Sequence, residues 1–90
     1  MALNTATNAF NITPNDSEDL IFQGIQTDAA AIEVGGAGDV RITTPKGEDI
    51  TFFNRAAGST LPYKARRVWA TGTTATSLVA AVGDYLLLER

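Results

Sequence analysis

Residues 30–43 read AAIEVGGAGDVRIT, and this stretch decides the fold. Ile32 and Val34 alternate with small or charged residues before the glycines, and Val40 and Ile42 alternate in the same way after them. A period of two is typical of strands with one buried face, and a glycine-rich segment between two such runs favours a turn. The pattern predicts two strands joined as a hairpin.

The segments downstream predict further strands. Residues 44–47, TPKG, place proline and glycine where a three-residue hairpin loop needs them, so a third strand from Asp49 to Phe53 should pair with the second. Three more strands are predicted: Tyr63 to Thr71 after an opening Leu61-Pro62, Thr76 to Val82, and Tyr85 to Glu89 after a Gly83-Asp84 turn. We therefore expect an all-β fold, a small antiparallel β-barrel or jelly-roll-like sandwich built from hairpins.

The first 28 residues differ in character from the rest. They lack a sustained period and are rich in Asn, Thr, Asp and Ala, so we divide the chain into an extended N-terminal arm, 1–28, and an antiparallel β-domain, 29–90. Isolated apolar residues such as Phe10 and Ile12 would be unusual in a free linker, so the arm should dock on something. Residues 20–22 favour a short strand, and a helical turn capped by Ser17 is the alternative.

The amino-acid composition argues against several classes of function. The 90 residues include no histidine and no cysteine, the side chains most used for proton transfer near neutrality, thiol chemistry and transition-metal binding. The acidic residues lack the spacing of a calcium loop, and glycines 35–38 lack the spacing of a dinucleotide-binding turn. We predict no enzyme activity, no catalytic, metal-binding or cofactor-binding residue, and no cofactor.

Charge is unevenly distributed along the chain. Residues 1–40 carry six acidic and no basic residues, whereas residues 41–67 carry six basic and two acidic ones, and the net charge is −3. The two regions complement each other within one subunit, complement each other between neighbours, or are ordinary solvated surfaces. The acidic balance disfavours nucleic-acid binding. Without a signal-like start or a long apolar run, we expect synthesis in the cytoplasm and no membrane partner.

A chain of this size should gain stability from self-association. A 90-residue domain buries only about 60–65% of the surface that its unfolded chain exposes. Arginine and tryptophan on the strand from Tyr63, and apolar residues on both faces of the last strand, suggest contact surfaces. For Trp69 the alternative is a core position with the arginines reaching to water. The candidate residues for contact with other subunits or with a larger partner are Phe10, Leu20, Phe22, Arg66, Arg67, Trp69, Leu86 and Leu88.

Five pieces of the sequence carry a resemblance to a known family. They are ITPNDS at 12–17, IEVGGAGDV at 32–40, ITF at 50–52, AGSTLP at 57–62 and RVWATGTTAT at 67–76. Together, over residues 11–82, they resemble small head-surface proteins of tailed bacteriophages and gene transfer agents, described as head decoration (cement) or head spike-base proteins. Residues 83–90 extend past the usual end of that family, and the segment 23–28 is unfamiliar in it.

The resemblance implies a non-enzymatic structural protein of the virion. Such a protein binds the outer surface of an assembled capsid as a homotrimer or homopentamer, contacts the major capsid protein, and stabilises the shell or seats a head fibre. Contacts from residues 10–25 to other subunits or the capsid are then expected. The alternative function is a β-rich carbohydrate- or receptor-binding module, in which Trp69 and Tyr63 would stack on sugar, and a minimal enzyme is a third class.

Overall fold

The computed structural model describes residues 8–82, and every regular element within them is a β-strand. The predicted all-β fold is confirmed. Among these residues no helix is long and apolar enough to cross a membrane. The strands are β1 (Asn8–Asn11), β2 (Ile21–Phe22), β3 (Ile25–Gln26), β4 (Ala31–Gly36), β5 (Gly38–Thr43), β6 (Asp49–Arg55), β7 (Thr60–Leu61), β8 (Arg67–Val68) and β9 (Thr76–Val82).

Two sheets enclose one hydrophobic core. A four-stranded sheet has the order β1-β9-β4-β7, a three-stranded sheet has the order β6-β5-β8, and β2 and β3 form a separate small hairpin. Inward-facing residues of both larger sheets belong to a single buried cluster, which includes Ile32, Val34, Leu78 and Ala80 from the first and Val40, Ile42 and Val68 from the second. Within residues 8–82 no strand ladder joins the two sheets, so the arrangement is a sandwich and not a closed barrel.

The predicted hairpin between the first two strands is wrong. β4 pairs with β7 and β9, whereas β5 pairs with β6 and β8, so residues 35–38 carry the chain from one sheet to the other. The segment just before β9 crosses this corner closely, and the Asp39 carbonyl accepts hydrogen bonds from the N–H groups of Thr74 (2.9 Å) and Ala75 (3.1 Å). A Cβ on Gly38 would lie 2.5 Å from the Ala75 nitrogen. The glycine at this position is needed for the close approach of residues 74–75.

The predicted β5–β6 hairpin is confirmed. Ile42 lies opposite Ile50, and the Gly47 N–H donates to the Thr44 carbonyl at 2.9 Å with Gly47 at φ +95°. The ladder shifts register between Gly38 and Val40, and Asn54 has φ +56° there. The Asn54 N–H donates to the Asp39 carboxylate at 2.9 Å, which fixes this bulge at the corner between the sheets.

The strand predicted from Tyr63 to Thr71 is mostly absent. The structure has a two-residue strand at 67–68, and Leu61-Pro62 does not open it because β7 ends at Leu61. The chain changes partners along this segment: Ala65 forms an isolated bridge with Ala29, and the Arg66 N–H donates to the Thr43 carbonyl at 2.7 Å. Ala65 and Val68 are both buried, so a strict alternation of faces is not kept.

The predicted strand at 76–82 is confirmed as β9, and it is central in its sheet. It pairs with β1 on one side and with β4 on the other, and Ala81 lies opposite both Ala9 and Ala31. Both edges of β9 are therefore occupied near its end. The predicted turn at 83–84 and the strand at 85–89 lie outside the described residues.

Residues 8–28 pack on the sandwich of their own subunit. β1 pairs with β9, the side chains of Ile12 and Leu20 belong to the core, and the Leu20 N–H donates to the Arg66 carbonyl at 2.8 Å. β2 and β3 are joined through Gln23 and Gly24, both at positive φ, as in a tight hairpin turn. The division of the chain at residue 29 stays a prediction, and so do contacts of this segment with other subunits.

Candidate interaction surfaces

Trp69 lies in a network of charged and polar side chains. The guanidinium carbon of Arg41 is 4.1 Å from the ring centroid, and that of Arg67 is 5.2 Å away. The indole N–H donates to the Thr43 hydroxyl oxygen at 2.8 Å, and that hydroxyl donates to the Asp49 carboxylate at 2.7 Å. Trp69 is half-buried and does not belong to the core cluster. Its ring is held by cation–π contacts and a hydrogen bond within the subunit.

Arg66 and Arg67 are held by one acidic residue of the N-terminal segment. Arg67 Nε donates to an Asp19 carboxylate oxygen at 2.9 Å, and Arg66 Nε lies 3.5 Å from the other oxygen as a longer ion pair. The acidic beginning and the basic middle of the chain therefore complement each other within one subunit at this point. This is one of the arrangements that the charge distribution left open.

Asp16 ties the N-terminal segment to the loop before β9. Its carboxylate accepts hydrogen bonds from the Thr71 hydroxyl (2.5 Å) and the Thr71 N–H (2.8 Å). These bonds hold the pKa of Asp16 below its usual value, because they stabilise the ionised carboxylate. Asp16 and Asp19 thus fasten residues 16–19 to the segment 66–71.

The structure brings the described candidate contacts together on one side of the sandwich. Phe10 and Phe22 stack with ring centroids 5.0 Å apart, and Leu20 is bonded through its backbone to Arg66. Leu20 is 6% exposed, so its side chain offers no surface in the single subunit. Leu86 and Leu88 lie outside the described residues. Contacts of these residues with other chains remain a prediction.

Two exposed apolar surfaces lie outside the eight candidate contact residues. Ile21 and Ile25 nevertheless fall within the segment 10–25 for which contacts are expected, and Tyr63 is a sugar-stacking candidate of the alternative function. We call Ile21 (53% exposed) and Ile25 (68%) the hairpin patch, and we call the exposed apolar residues at the edge strand β6 the β6 patch. The β6 patch spans both faces of this strand: Phe53 (68%) lies on the outer face, and Ile50 (40%) and Tyr63 (52%) lie on the face of Phe52. Tyr63 stacks on Phe52 of β6 with ring centroids 5.0 Å apart. The sequence does contain a signal for the second patch. Consecutive aromatic residues at 52 and 53 in a strand must point to opposite faces, so one of them points away from the core side.

A cleft of about 290 Å³ lies between β1 and the β2–β3 hairpin. Its titratable lining residues are Glu18 and Asp19, and Asp19 is engaged by two arginines. Among residues 8–82 no group of three or more His, Cys, Asp or Glu side chains is placed to hold a metal ion. The described surface is therefore better characterised by its apolar patches than by reactive groups.

Comparison with known proteins gives an informative relationship among solved structures. No protein-family model matches the chain, and no curated protein matches it either. A solved structure that does match is a chain in the capsid of a native gene transfer agent (GTA) particle, computed with C5 symmetry. The match has a TM-score of 0.73 and 34% sequence identity, and it covers 86% of this chain and 83% of the capsid chain. The chain described here therefore belongs to the same protein family as this component of the GTA capsid.

Proposed function

We propose that the chain is a structural protein of a virion that binds the outer surface of the capsid. There it acts as a head decoration (cement) protein or a spike base, and it stabilises the shell or seats a fibre. The observation that carries this proposal is the kinship with a GTA capsid chain over 86% of the sequence at a TM-score of 0.73. The major capsid protein is the partner that such a role requires.

The surface of the sandwich supports assembly. Four large apolar side chains of the described residues are more than half exposed, and exposed apolar surface of this kind marks contact sites. They are Ile21, Ile25, Phe53 and Tyr63. Several copies on a symmetry axis would cover this surface and would multiply one weak capsid contact by avidity. We propose a homotrimer or a homopentamer, and the C5 symmetry of the GTA capsid structure makes the pentamer the first to test.

The carbohydrate-binding alternative gains no support from Trp69, because this ring lies beneath two guanidinium groups. Tyr63 stacks on Phe52 and is 52% exposed, so the glycan test of this alternative depends on Tyr63. A sugar-stacking platform needs an open ring face. Trp69 also stabilises its own subunit, because its indole N–H donates a hydrogen bond to the Thr43 hydroxyl oxygen.

Co-sedimentation with purified heads, together with native mass spectrometry, tests the proposal. We expect saturable binding of the full chain at a fixed number of copies per head, and a discrete trimer or pentamer in solution. Heads first saturated with unlabelled protein are the matched control and should bind no labelled chain. A well-folded monomer that does not bind heads would refute the proposal, and specific signal on a glycan array would favour the alternative.

A further inference from the structure

The hairpin patch and the β6 patch lie at opposite edges of the sandwich. The β2–β3 hairpin packs beside β1, because Phe22 stacks on Phe10, and beside β8, because Leu20 is bonded to Arg66. β1 and β8 are the terminal strands of their sheets on this side. β6 and β7 are the terminal strands on the other side, where Tyr63 stacks on Phe52. One subunit therefore presents two separate apolar surfaces facing away from each other.

The charges that flank the two patches have opposite sign. Glu18 and Asp28 are exposed near the hairpin patch, and residues 8–40 contain no lysine or arginine. Arg55 and Lys64 flank Phe53 and Tyr63 in the β6 patch. None of these four residues takes part in a salt bridge within the described part of the chain. The acidic Asp49 at the start of β6 is already engaged by Arg41 at 3.6 Å.

A closed ring needs two different surfaces on each subunit. In a cyclic trimer or pentamer every contact is head to tail, so a patch on one copy meets a different patch on the next copy. Pairing each patch with itself would place like charges together, whereas pairing one with the other places carboxylates beside Arg55 and Lys64. A single contact of this type covers Ile21, Ile25 and Phe53 together.

We propose that the β2–β3 hairpin of one copy docks on the β6 patch of the next copy. Ile25 then packs against Phe53, and Asp28 and Glu18 approach Lys64 and Arg55. This inference rests on the proposed function, since it gives the contact surface of the homo-oligomer on the capsid. The occupant of both patches is a second copy of this chain.

Engineered cysteines test the contact directly, because the chain has none of its own. The variants Ile25→Cys and Phe53→Cys alter side chains that are 68% exposed, so both should fold. After mild oxidation, a mixture of the two variants should give disulfide-linked dimers, and the double variant should give a ladder that ends at the ring size. Ala37→Cys, an exposed position in neither patch, mixed with Ile25→Cys is the matched control and should remain unlinked.

The cross-linking result separates this inference from the proposed function. Cross-links formed by Phe53→Cys alone would indicate a two-fold contact and overturn the inference. So would an oligomer that binds heads but gives no 25–53 cross-link above the control, and the proposed function would then stand. A monomer that also fails to bind heads would overturn both.

A charge swap supplies a second, independent readout. Asp28→Lys and Lys64→Asp should each weaken self-association by up to about fivefold, which is the scale of an exposed ion pair. The double variant should recover most of that loss, measured as the dissociation constant by analytical ultracentrifugation. If the losses of affinity in the two single variants simply add up in the double variant, Asp28 and Lys64 do not pair across the contact, and the inference is contradicted.

Discussion

Gly38 shows how one residue permits the junction between the two sheets. An alanine Cβ there would lie 2.5 Å from the Ala75 nitrogen and 2.8 Å from the Ala75 Cα, and backbone atoms cannot rotate out of the way. We expect Gly38→Ala to lower the free energy of unfolding by about 2 kcal/mol, as overpacking does. The urea midpoint, followed by the fluorescence of the single tryptophan, measures this.

The neighbouring residue offers the control for this substitution. Ala37→Ser adds one atom at an exposed position of the same segment, and it should change stability by less than about 0.5 kcal/mol. Equal stability of Gly38→Ala and Ala37→Ser would show that the close approach of residues 74–75 does not constrain this corner.

The lowered pKa of Asp16 predicts that the folded protein loses stability in acid. The Asp16 pKa is lowered in the folded protein by the two hydrogen bonds from Thr71, so its contribution is present above the unfolded pKa, near 3.8. That contribution is lost as the pH falls through the lower, folded pKa. In unfolding experiments between pH 5 and pH 2, Asp16→Asn should flatten the decline of the urea midpoint that the natural chain shows.

Glu48→Gln is the matched control for the acid titration. Glu48 is exposed in the turn between β5 and β6, and its replacement leaves both hydrogen bonds from Thr71 to Asp16 in place. The decline of the urea midpoint in acid should be steeper in this variant than in Asp16→Asn. A slope that is unchanged in Asp16→Asn would mean that the bonds to Thr71 add nothing to stability.

At the scale of elements, the N-terminal segment is part of the domain core. Leu20 is 6% exposed and the adjacent Ile21 is 53% exposed. Leu20→Ala should therefore cost about 2–4 kcal/mol of unfolding free energy through the lost transfer energy and the cavity, whereas Ile21→Ala should cost less than about 0.5 kcal/mol. Chemical denaturation measures both, and similar values for the pair would contradict the packing of residues 12–20 into the core.

Because residues 12–20 pack into the core, deletion of the N-terminal segment is a poor test of its contacts with other subunits. Deletion of residues 1–28 removes β1 from the edge of β9 and takes Ile12 and Leu20 out of the core. We expect the truncated chain to unfold, which would abolish head binding for a reason unrelated to contacts. Surface substitutions in the hairpin patch therefore test intersubunit contacts better than truncation does.

Local patterns in the sequence were sufficient to predict the pairing of some strands and insufficient to predict the pairing of others. The β5–β6 hairpin was predictable because Pro45 and Gly47 determine its turn over four residues. The β4–β5 junction was not, since alternating residues around glycine look the same whether the chain folds back in one sheet or crosses to another. That choice depends on β9, which lies about 40 residues further along and occupies the edge of β4.

Some features of the candidate contacts could likewise be predicted from the sequence, and others could not. The aromatic and arginine residues near 66–69 were identifiable from their types, but their partners Asp16 and Asp19 lie about 50 residues away and are brought near by tertiary packing. The hairpin patch lies in the segment 10–25 for which contacts were expected. Ile21 and Ile25 could not be separated from the less exposed Leu20 and Phe22 in advance, because residues 20–26 have no clear period.

At the scale of the whole molecule, the sandwich is small for a self-sufficient fold. Four of the thirteen buried apolar residues in the described part of the chain are alanines, so the core has few large side chains. Several of the larger apolar side chains lie outside, in the hairpin and β6 patches. In the proposed ring, assembly would cover these patches and couple folding stability to protein concentration.

Cryo-electron microscopy of heads saturated with the chain tests the central claim most directly. The account predicts density for the two-sheet sandwich on the outer surface of the shell, arranged as a closed ring on a symmetry axis, with the β2–β3 hairpin of each copy against β6 of the next. Saturated heads without added density, density on the inner surface, or isolated single copies would contradict it.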